Sequence, residues 1–131
     1  MSSSGSNFDS TRLPAPVPDE LDGKVAIVTG GGSGMGRASA IRLAAAGASM
    51  VVNDLSADNA EATAVALRDA GGQAIAIAGN VTDASDITAM VDRTVSEFGG
   101  VHILVNAAGV LRRTSVYDMP EDEWDFVIGV N

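Results

Sequence analysis

The sequence predicts an α/β protein built around a doubly wound parallel sheet. Short apolar runs alternate with longer segments of helical pattern from residue 21 onward, and the connections between them are short and rich in glycine. Repeated β-α-β units of this kind give parallel strands joined by right-handed crossovers. We therefore expect one domain over residues 21–131, with four strands and a last helix that begins near residue 121.

Apolar runs predict the strands, and helical periodicity between them predicts the helices. Glycines at positions 47, 71, 72, 99 and 100 follow the first three helices, as expected of residues that end a helix. The predicted strands are residues 24–29, 49–54, 74–78 and 103–105. The predicted helices are residues 35–46, 57–70, 83–98 and a last one that starts at 121.

The third predicted helix carries an apolar stripe at helical spacing. Its members are Ile87, Met90, Val91, Val95 and Phe98. Such a stripe faces the core in a surface helix. We expect it to pack against the sheet, with the methionine as a core residue.

Composition excludes several kinds of protein. The net charge is −9 with 8 Lys and Arg, so no basic patch predicts nucleic-acid binding. The absence of cysteine excludes disulfides and thiolate metal sites and favours a cytoplasmic location. No apolar run approaches the length of a membrane span. We expect no metal site and no membrane partner, and we expect residues 1–20, rich in serine and proline, to form a flexible tail.

The segment 24–37 is the most informative motif. A short buried strand is followed by five glycines within seven residues and then by a small-residue helix. This order places backbone N–H groups at a helix N-terminus, where a diphosphate approaches if no Cβ obstructs it. No register supplies G-x-G-x-x-G; the pattern is T-G-x-x-x-G-x-G, from Thr29 to Gly36.

Asp54 ends the second strand, eighteen positions after Gly36. In a dinucleotide fold an acid there accepts hydrogen bonds from the adenine ribose, and it would repel the 2′-phosphate of NADP. Ser33 and Leu55 occupy the positions where NADP-dependent reductases commonly place a basic residue. NAD is therefore favoured and NADP disfavoured. The alternative for Asp54 is a simple helix N-cap.

Four motifs in this order resemble those of the short-chain dehydrogenase/reductase family. They are the glycine loop, Asp54, Asn80-Val81 after the third strand, and Asn106-Ala-Ala-Gly109 after the fourth. The resemblance implies a Rossmann-type doubly wound parallel sheet over residues 21–131, truncated after the fourth strand and the start of the following helix. It also implies hydride transfer between a nicotinamide cofactor and an alcohol or ketone. The cofactor-binding residues that it implies are Gly30, Ser33, Gly34, Met35, Gly36, Asp54, Leu55, Asn80, Val81, Asn106, Ala107, Ala108 and Gly109.

Two of these positions carry specific expectations. The family usually has Asp where Asn80 stands, and the side-chain carbonyl of Asn80 is still able to accept a bond from the adenine amino group. Asn106 is expected to tie its loop to the loop at Thr29. Both follow from the resemblance.

Asn131 matches the asparagine of the family's catalytic set, in which it supports a proton path. The resemblance implies that the serine and the Tyr-x-x-x-Lys motif of that set would follow residue 131. The single tyrosine, Tyr117, does not form the motif, because Glu121 stands four positions later. We expect these residues to be the N-terminal half of an oxidoreductase or a truncated product, inactive alone and a homo-oligomer when full length. A non-catalytic nucleotide-binding or regulatory module is the alternative. The single histidine, His102, opens the fourth strand away from the ligand end, so we expect it to be structural.

Overall fold

The computed structural model describes residues 15–131, which form four strands and four helices in alternation. The strands are β1 (Val25–Thr29), β2 (Ser49–Asp54), β3 (Ala74–Ala78) and β4 (Ile103–Asn106). The helices are α1 (Gly34–Ala45), α2 (Ala57–Asp69), α3 (Ala84–Phe98) and α4 (Glu121–Val130). None of these four helices has the length and apolar character needed to cross a membrane. The predicted tail falls largely on residues 1–14, outside the described residues, and its boundary stays a prediction.

The four strands form one parallel sheet in the order β3-β2-β1-β4, which confirms the predicted fold class. Val28 of β1 is in register with Val52 of β2 on one side and with Val105 of β4 on the other. The chain winds outward from β1 in one direction and then returns to place β4 on its other side. Ligands of open α/β sheets bind outside the carboxyl ends of the strands, at such a reversal.

Residues of the central strands face the two sides of the sheet alternately, and both sides are covered. On one side Val28, Met50 and Val52 pack with residues of α1 and α2, among them Ala40 and Leu67. On the other side Ile27 and Val51 pack against Met90 and Phe98 of α3. Because β1 and β2 are covered on both faces, their sequences are nearly continuous apolar runs, as is typical of strands in buried parallel sheets.

The stripe on α3 packs against the sheet only in part. Met90 is buried and Phe98 is half-buried against the sheet. Ile87, Val91 and Val95 are exposed, so the expectation that the whole stripe is covered was wrong for these three. Periodicity identifies the residues that share a helix face, whereas their burial depends on how wide a surface faces them, and β4 is the edge of this sheet.

Two buried threonines provide a test of hydrogen-bond energetics in the core. The hydroxyl of Thr63 on α2 has no partner among the described residues, whereas the hydroxyl of Thr94 on α3 donates to the carbonyl of Met90 at 2.7 Å. Valine has the same shape without the hydroxyl. We expect Thr63→Val to raise the free energy of unfolding by about 1 kcal/mol and Thr94→Val to lower it by a similar amount. Urea denaturation measures both, and equal effects of the two substitutions would contradict the assignment.

Asp83 caps the N-terminus of α3. Hydrogen bonds from the Ser85 hydroxyl and from the backbone N–H groups of Ser85 and Asp86 lower the pKa of its carboxyl below the ordinary aspartate value. A lowered folded-state pKa contributes stability above the unfolded pKa of about 3.9, and this stability is lost as the pH falls through the lower value. Asp83→Ala should therefore melt at a lower temperature than the unsubstituted protein at pH 7. The difference in melting temperature between the two proteins should become smaller as the pH is lowered, whereas a difference that does not change with pH would argue against the cap.

Candidate functional site

The loop between β1 and α1 turns back on itself because its glycines leave no side chains in the way. A Cβ at Gly36 would collide with the carbonyl oxygen of Gly30. Gly30 has a φ of +63°, and a Cβ there would lie 2.7 Å from the backbone nitrogen of Ala108. The N–H of Gly31 donates to the carbonyl of Asn53 at 2.8 Å, which joins the loop to β2. The loop is thus pressed between its own helix, β2 and the loop that follows β4.

The N-terminus of α1 has no side-chain cap. Its N-cap residue, Ser33, is extended and makes no side-chain capping bond, and no acidic residue lies in the first turn. The first N–H groups of a helix have no partner within the helix and carry partial positive charge. Ser33, Gly34 and Met35 are all exposed, so a diphosphate has access to these groups.

Asp54 connects the end of β2 to the glycine loop. One carboxylate oxygen accepts from the N–H of Gly32 at 2.9 Å, and the other accepts from the N–H of Ser56 at 3.0 Å. The N-cap of α2 is Ser56, whose hydroxyl accepts from the N–H of Asn59 at 3.2 Å, so Asp54 is not the helix cap. Because each carboxylate oxygen accepts more than one hydrogen bond, Asp54 retains acceptor capacity for a ligand hydroxyl.

The wall at the end of β3 is built by Asn80 and its neighbours. The side-chain oxygen of Asn80 accepts from both the N–H and the hydroxyl of Thr82, at 2.9 and 2.6 Å. Its backbone N–H donates to Asp86 at 2.9 Å. The expected acceptor for an adenine amino group is therefore already engaged. Among the described residues, the side-chain nitrogen of Asn80 has no hydrogen-bond partner.

Thr29, rather than Asn106, ties the loop after β4 to the glycine loop. The Thr29 hydroxyl lies 3.5 Å from the Val105 carbonyl and 3.3 Å from the N–H of Ala108, and the Thr29 carbonyl accepts from Ala107 at 3.2 Å. Within residues 15–131, the side chain of Asn106 forms no hydrogen bond. The two loops are thus joined as expected, but through Thr29 of β1 and backbone groups of the loop after β4 instead of the side chain of Asn106.

Asn131 is held to the same loop by both atoms of its side-chain amide. The amide oxygen accepts from the N–H of Val110 at 2.9 Å, and the amide nitrogen donates to the carbonyl of Val110 at 3.0 Å. This pair joins the C-terminal end of α4 to the segment after β4. Asn131 is therefore positioned by the backbone that borders the cleft.

These walls enclose a cleft of about 400 Å³ at the carboxyl ends of the strands. Most of the predicted cofactor-binding residues line it together. They are Gly30, Ser33, Gly34, Met35, Gly36, Asp54, Leu55, Asn80, Val81, Ala107, Ala108 and Gly109. Asn106 and Asn131 line an adjoining groove of about 370 Å³ instead, with Thr29 and Leu104. Asp54 supplies the carboxylate of the main cleft, and Phe126 and Val130 add an apolar end on the side of α4.

The two residues that invite a catalytic interpretation lie away from the cleft. His102 accepts a hydrogen bond from the N–H of Val25 through Nδ1 at 2.9 Å, at the opposite end of the sheet. Tyr117 is 96% exposed on the segment between β4 and α4. Neither residue lines the main cleft or the adjoining groove.

Sequence reasoning missed two kinds of cleft residue. Asn53 is buried beneath the wall, and a lone asparagine at the end of a strand carries no signal of its own. Val110, Phe126 and Val130 form the apolar end, and apolar residues of this kind are indistinguishable in a sequence from core residues. Their helical spacing, i and i+4 for Phe126 and Val130, was the one available signal.

Comparison with known proteins identifies relatives across most of the chain. The model of one protein family, short chain dehydrogenase, matches residues 24–131. The hydroxyacyl-CoA dehydrogenase ChsB1 of Mycobacterium tuberculosis is 39% identical over 129 residues, covering 94% of this chain and 40% of that protein. The D-threitol dehydrogenase of Mycolicibacterium smegmatis is 41% identical over 111 residues, covering 85% and 43%.

A third relative has another kind of substrate in its name. The 3-oxoacyl-[acyl-carrier-protein] reductase FabG of Thermotoga maritima is 35% identical over 111 residues, which cover 85% of this chain and 45% of that reductase. The chain thus spans less than half the length of each of these three relatives.

Proposed function

The chain belongs to the short-chain dehydrogenase/reductase family, and we propose that its cleft holds the nicotinamide cofactor of an oxidoreductase, with NAD favoured over NADP. The observation that carries the proposal is the glycine loop. A Cβ at Gly36 would fill the space that the loop needs, and the uncapped N-terminus of α1 opens beside Asp54. A diphosphate next to a ribose has the charge and the hydroxyl groups that match this arrangement.

Each wall of the cleft has its own role in holding the cofactor. The N–H groups of residues 33–36 would bind the diphosphate, and Asp54 would accept bonds from the ribose hydroxyls. Leu55, Asn80 and Val81 would border the adenine. Small residues at 107–109 would let the nicotinamide end lie across the end of β4. For Asn80, the bond to adenine requires its side-chain nitrogen, or a rearrangement that frees its oxygen from Thr82.

The cofactor, when bound, would supply the hydride that passes to or from the carbon atom of an alcohol or ketone. The chain's own residues would bind and orient the cofactor, and the carboxylate of Asp54 would repel a 2′-phosphate from the ribose pocket. Asn131 is the residue that we assign to the catalytic set, held at the rim by Val110. The 131 residues contain no Tyr-x-x-x-Lys motif to exchange a proton with the substrate. We therefore propose that this chain binds the cofactor without turning over substrate.

The substrate is proposed to be a small-molecule alcohol or ketone that enters beside the apolar end of the cleft. The names of the relatives include an acyl-CoA enzyme, a sugar-alcohol dehydrogenase and an acyl-carrier-protein reductase, so they favour no single class. We further propose cytoplasmic location and homo-oligomeric assembly of the full-length protein. The exposed apolar residues Trp124 and Ile128 of α4 support an assembly surface.

Titration with NAD and NADP tests the cofactor proposal directly. Trp124 lies two residues from Phe126 of the cleft and is half exposed, so its fluorescence reports binding, with calorimetry as an independent measurement. We expect saturable binding of NAD and binding of NADP that is about tenfold weaker or more. Absence of binding by both nucleotides would refute the cofactor site. Tighter binding of NADP would refute only the NAD preference.

A further inference from the structure

Asn53 is a buried amide directly beneath the cleft. It is 2% exposed, and its side-chain nitrogen donates to the carbonyls of Ile77 and Gly79 at 3.0 and 3.4 Å. These two carbonyls lie at the carboxyl end of β3, where the wall that contains Asn80 begins. The side chain of one strand thus holds the end of its neighbour, beyond the regular ladder between β2 and β3.

The other half of the same amide has no partner. The side-chain oxygen of Asn53 is buried and accepts no hydrogen bond from the described residues. An unpaired buried acceptor is unfavourable, and an apolar residue of the same shape would avoid that cost. The two bonds that the amide donates to β3 offset this cost.

The backbone around Asn53 joins the same two walls. Its carbonyl accepts from the N–H of Gly31 in the glycine loop at 2.8 Å, and the next carbonyl, that of Asp54, accepts from the N–H of Gly79 at 3.1 Å. Asn53 is therefore bonded on one side to the loop proposed for the diphosphate and on the other to the wall proposed for the adenine. Together with Asp54, Asn53 therefore links these two walls.

We propose that Asn53 is a positioning residue that sets the width of the slot for the adenine base, an inference that rests on the proposed nucleotide site. Its amide holds the segment from Gly79 to Val81 at a fixed distance from Asp54 and Leu55. Without the two bonds to β3, that segment relaxes and the slot no longer fits a purine. Preformed slots bind more tightly because no ordering accompanies binding.

The test compares Asn53→Leu with the unsubstituted protein. Leucine keeps the branched shape, removes both donors and also removes the unpaired oxygen. Calorimetric titrations use AMP, NAD and inorganic pyrophosphate as probes. We expect the affinity for AMP and for NAD to fall by about tenfold or more, while that for pyrophosphate stays unchanged. The melting temperature should remain within a few degrees of that of the unsubstituted protein. The loss of the two donated bonds lowers stability, whereas the loss of the unpaired oxygen raises it.

Thr63→Val is the matched control, because it too removes an unpaired buried oxygen but lies on α2, outside the lining of the cleft. Its affinity for AMP should not change. Asn53→Ser, whose hydroxyl is too short to reach both carbonyls, repeats the test if the leucine variant does not fold. Unchanged AMP affinity in the folded variants would overturn the role of Asn53 and leave the cofactor site standing. Absence of AMP and NAD binding in the unsubstituted protein would overturn both.

Discussion

Replacement of Gly36 by alanine is expected to remove cofactor binding and to destabilise the domain. The added methyl group would collide with the carbonyl oxygen of Gly30, which is backbone and cannot rotate away. Gly30 in turn lies against the backbone of Ala107 and Ala108, so the displacement spreads to the loop after β4. We expect a loss of about 1–3 kcal/mol in the free energy of unfolding. The affinity for NAD should fall by about 100-fold, or about 2.8 kcal/mol.

Gly71→Ala provides the control for this substitution. Gly71, unlike Gly36, has a positive φ, of +92°, but a Cβ there would meet open space, and the residue lies after α2, outside the lining of the cleft. Its cost should be roughly 1 kcal/mol of stability, from the left-handed backbone alone, with unchanged affinity for NAD. Calorimetric titration of the two variants at a temperature where both are folded separates stability from binding. NAD binding by the Gly36 variant at the original affinity would show that this loop is not the cradle.

The second large effect is expected from Asp54→Ala combined with Leu55→Arg, which should reverse the cofactor preference. Removal of the carboxylate would remove the repulsion of the 2′-phosphate and the bonds to the ribose hydroxyls that we propose for it. Leu55 is 72% exposed, so an arginine fits there without disturbing the core, and its guanidinium pairs well with phosphate. We expect the ratio of NADP affinity to NAD affinity to rise by about 100-fold or more.

The single variants separate the two contributions. Leu55→Arg alone should improve NADP binding only slightly, because Asp54 still repels the phosphate. Asp54→Ala alone should weaken NAD binding and also lower the free energy of unfolding by about 1–3 kcal/mol, since the N–H groups of Gly32 and Ser56 lose their acceptor. Equilibrium titrations with both nucleotides, together with thermal melts, provide these values. A double variant that still prefers NAD would place the ribose elsewhere.

Much of the fold and the outline of the site could be predicted because they depend on local patterns. Apolar runs, helical periodicity and glycines at helix ends are read within short windows, and all eight elements of residues 15–131 appear within about one residue of their predicted ends. The spacing from Thr29 to Gly36 identifies one loop geometry, and Asp54 lies beside it as the spacing indicates. Both signals are carried by a few residues close together in the chain.

The remainder depended on contacts between distant residues. Thr29 reaches Val105 and Ala108, and Asn53 reaches Ile77 and Gly79; no pattern along the chain pairs these residues. Asn80 was expected to accept a bond from adenine, but Thr82, two positions later, already donates to the same side-chain oxygen. The exposed part of the α3 stripe has the same origin, because periodicity contains no information on what lies opposite a helix face.

The paired amide bonds between Asn131 and Val110 link two parts of the chain that otherwise have separate roles. Val110 borders the main cleft, and Asn131 follows the last turn of α4. A ligand that displaces Val110 must either break both bonds or move the end of α4 with it. Such a ligand would couple occupancy of the cleft to the position of α4, and a partner that shifted α4 would then change the affinity for the ligand by the same factor in return.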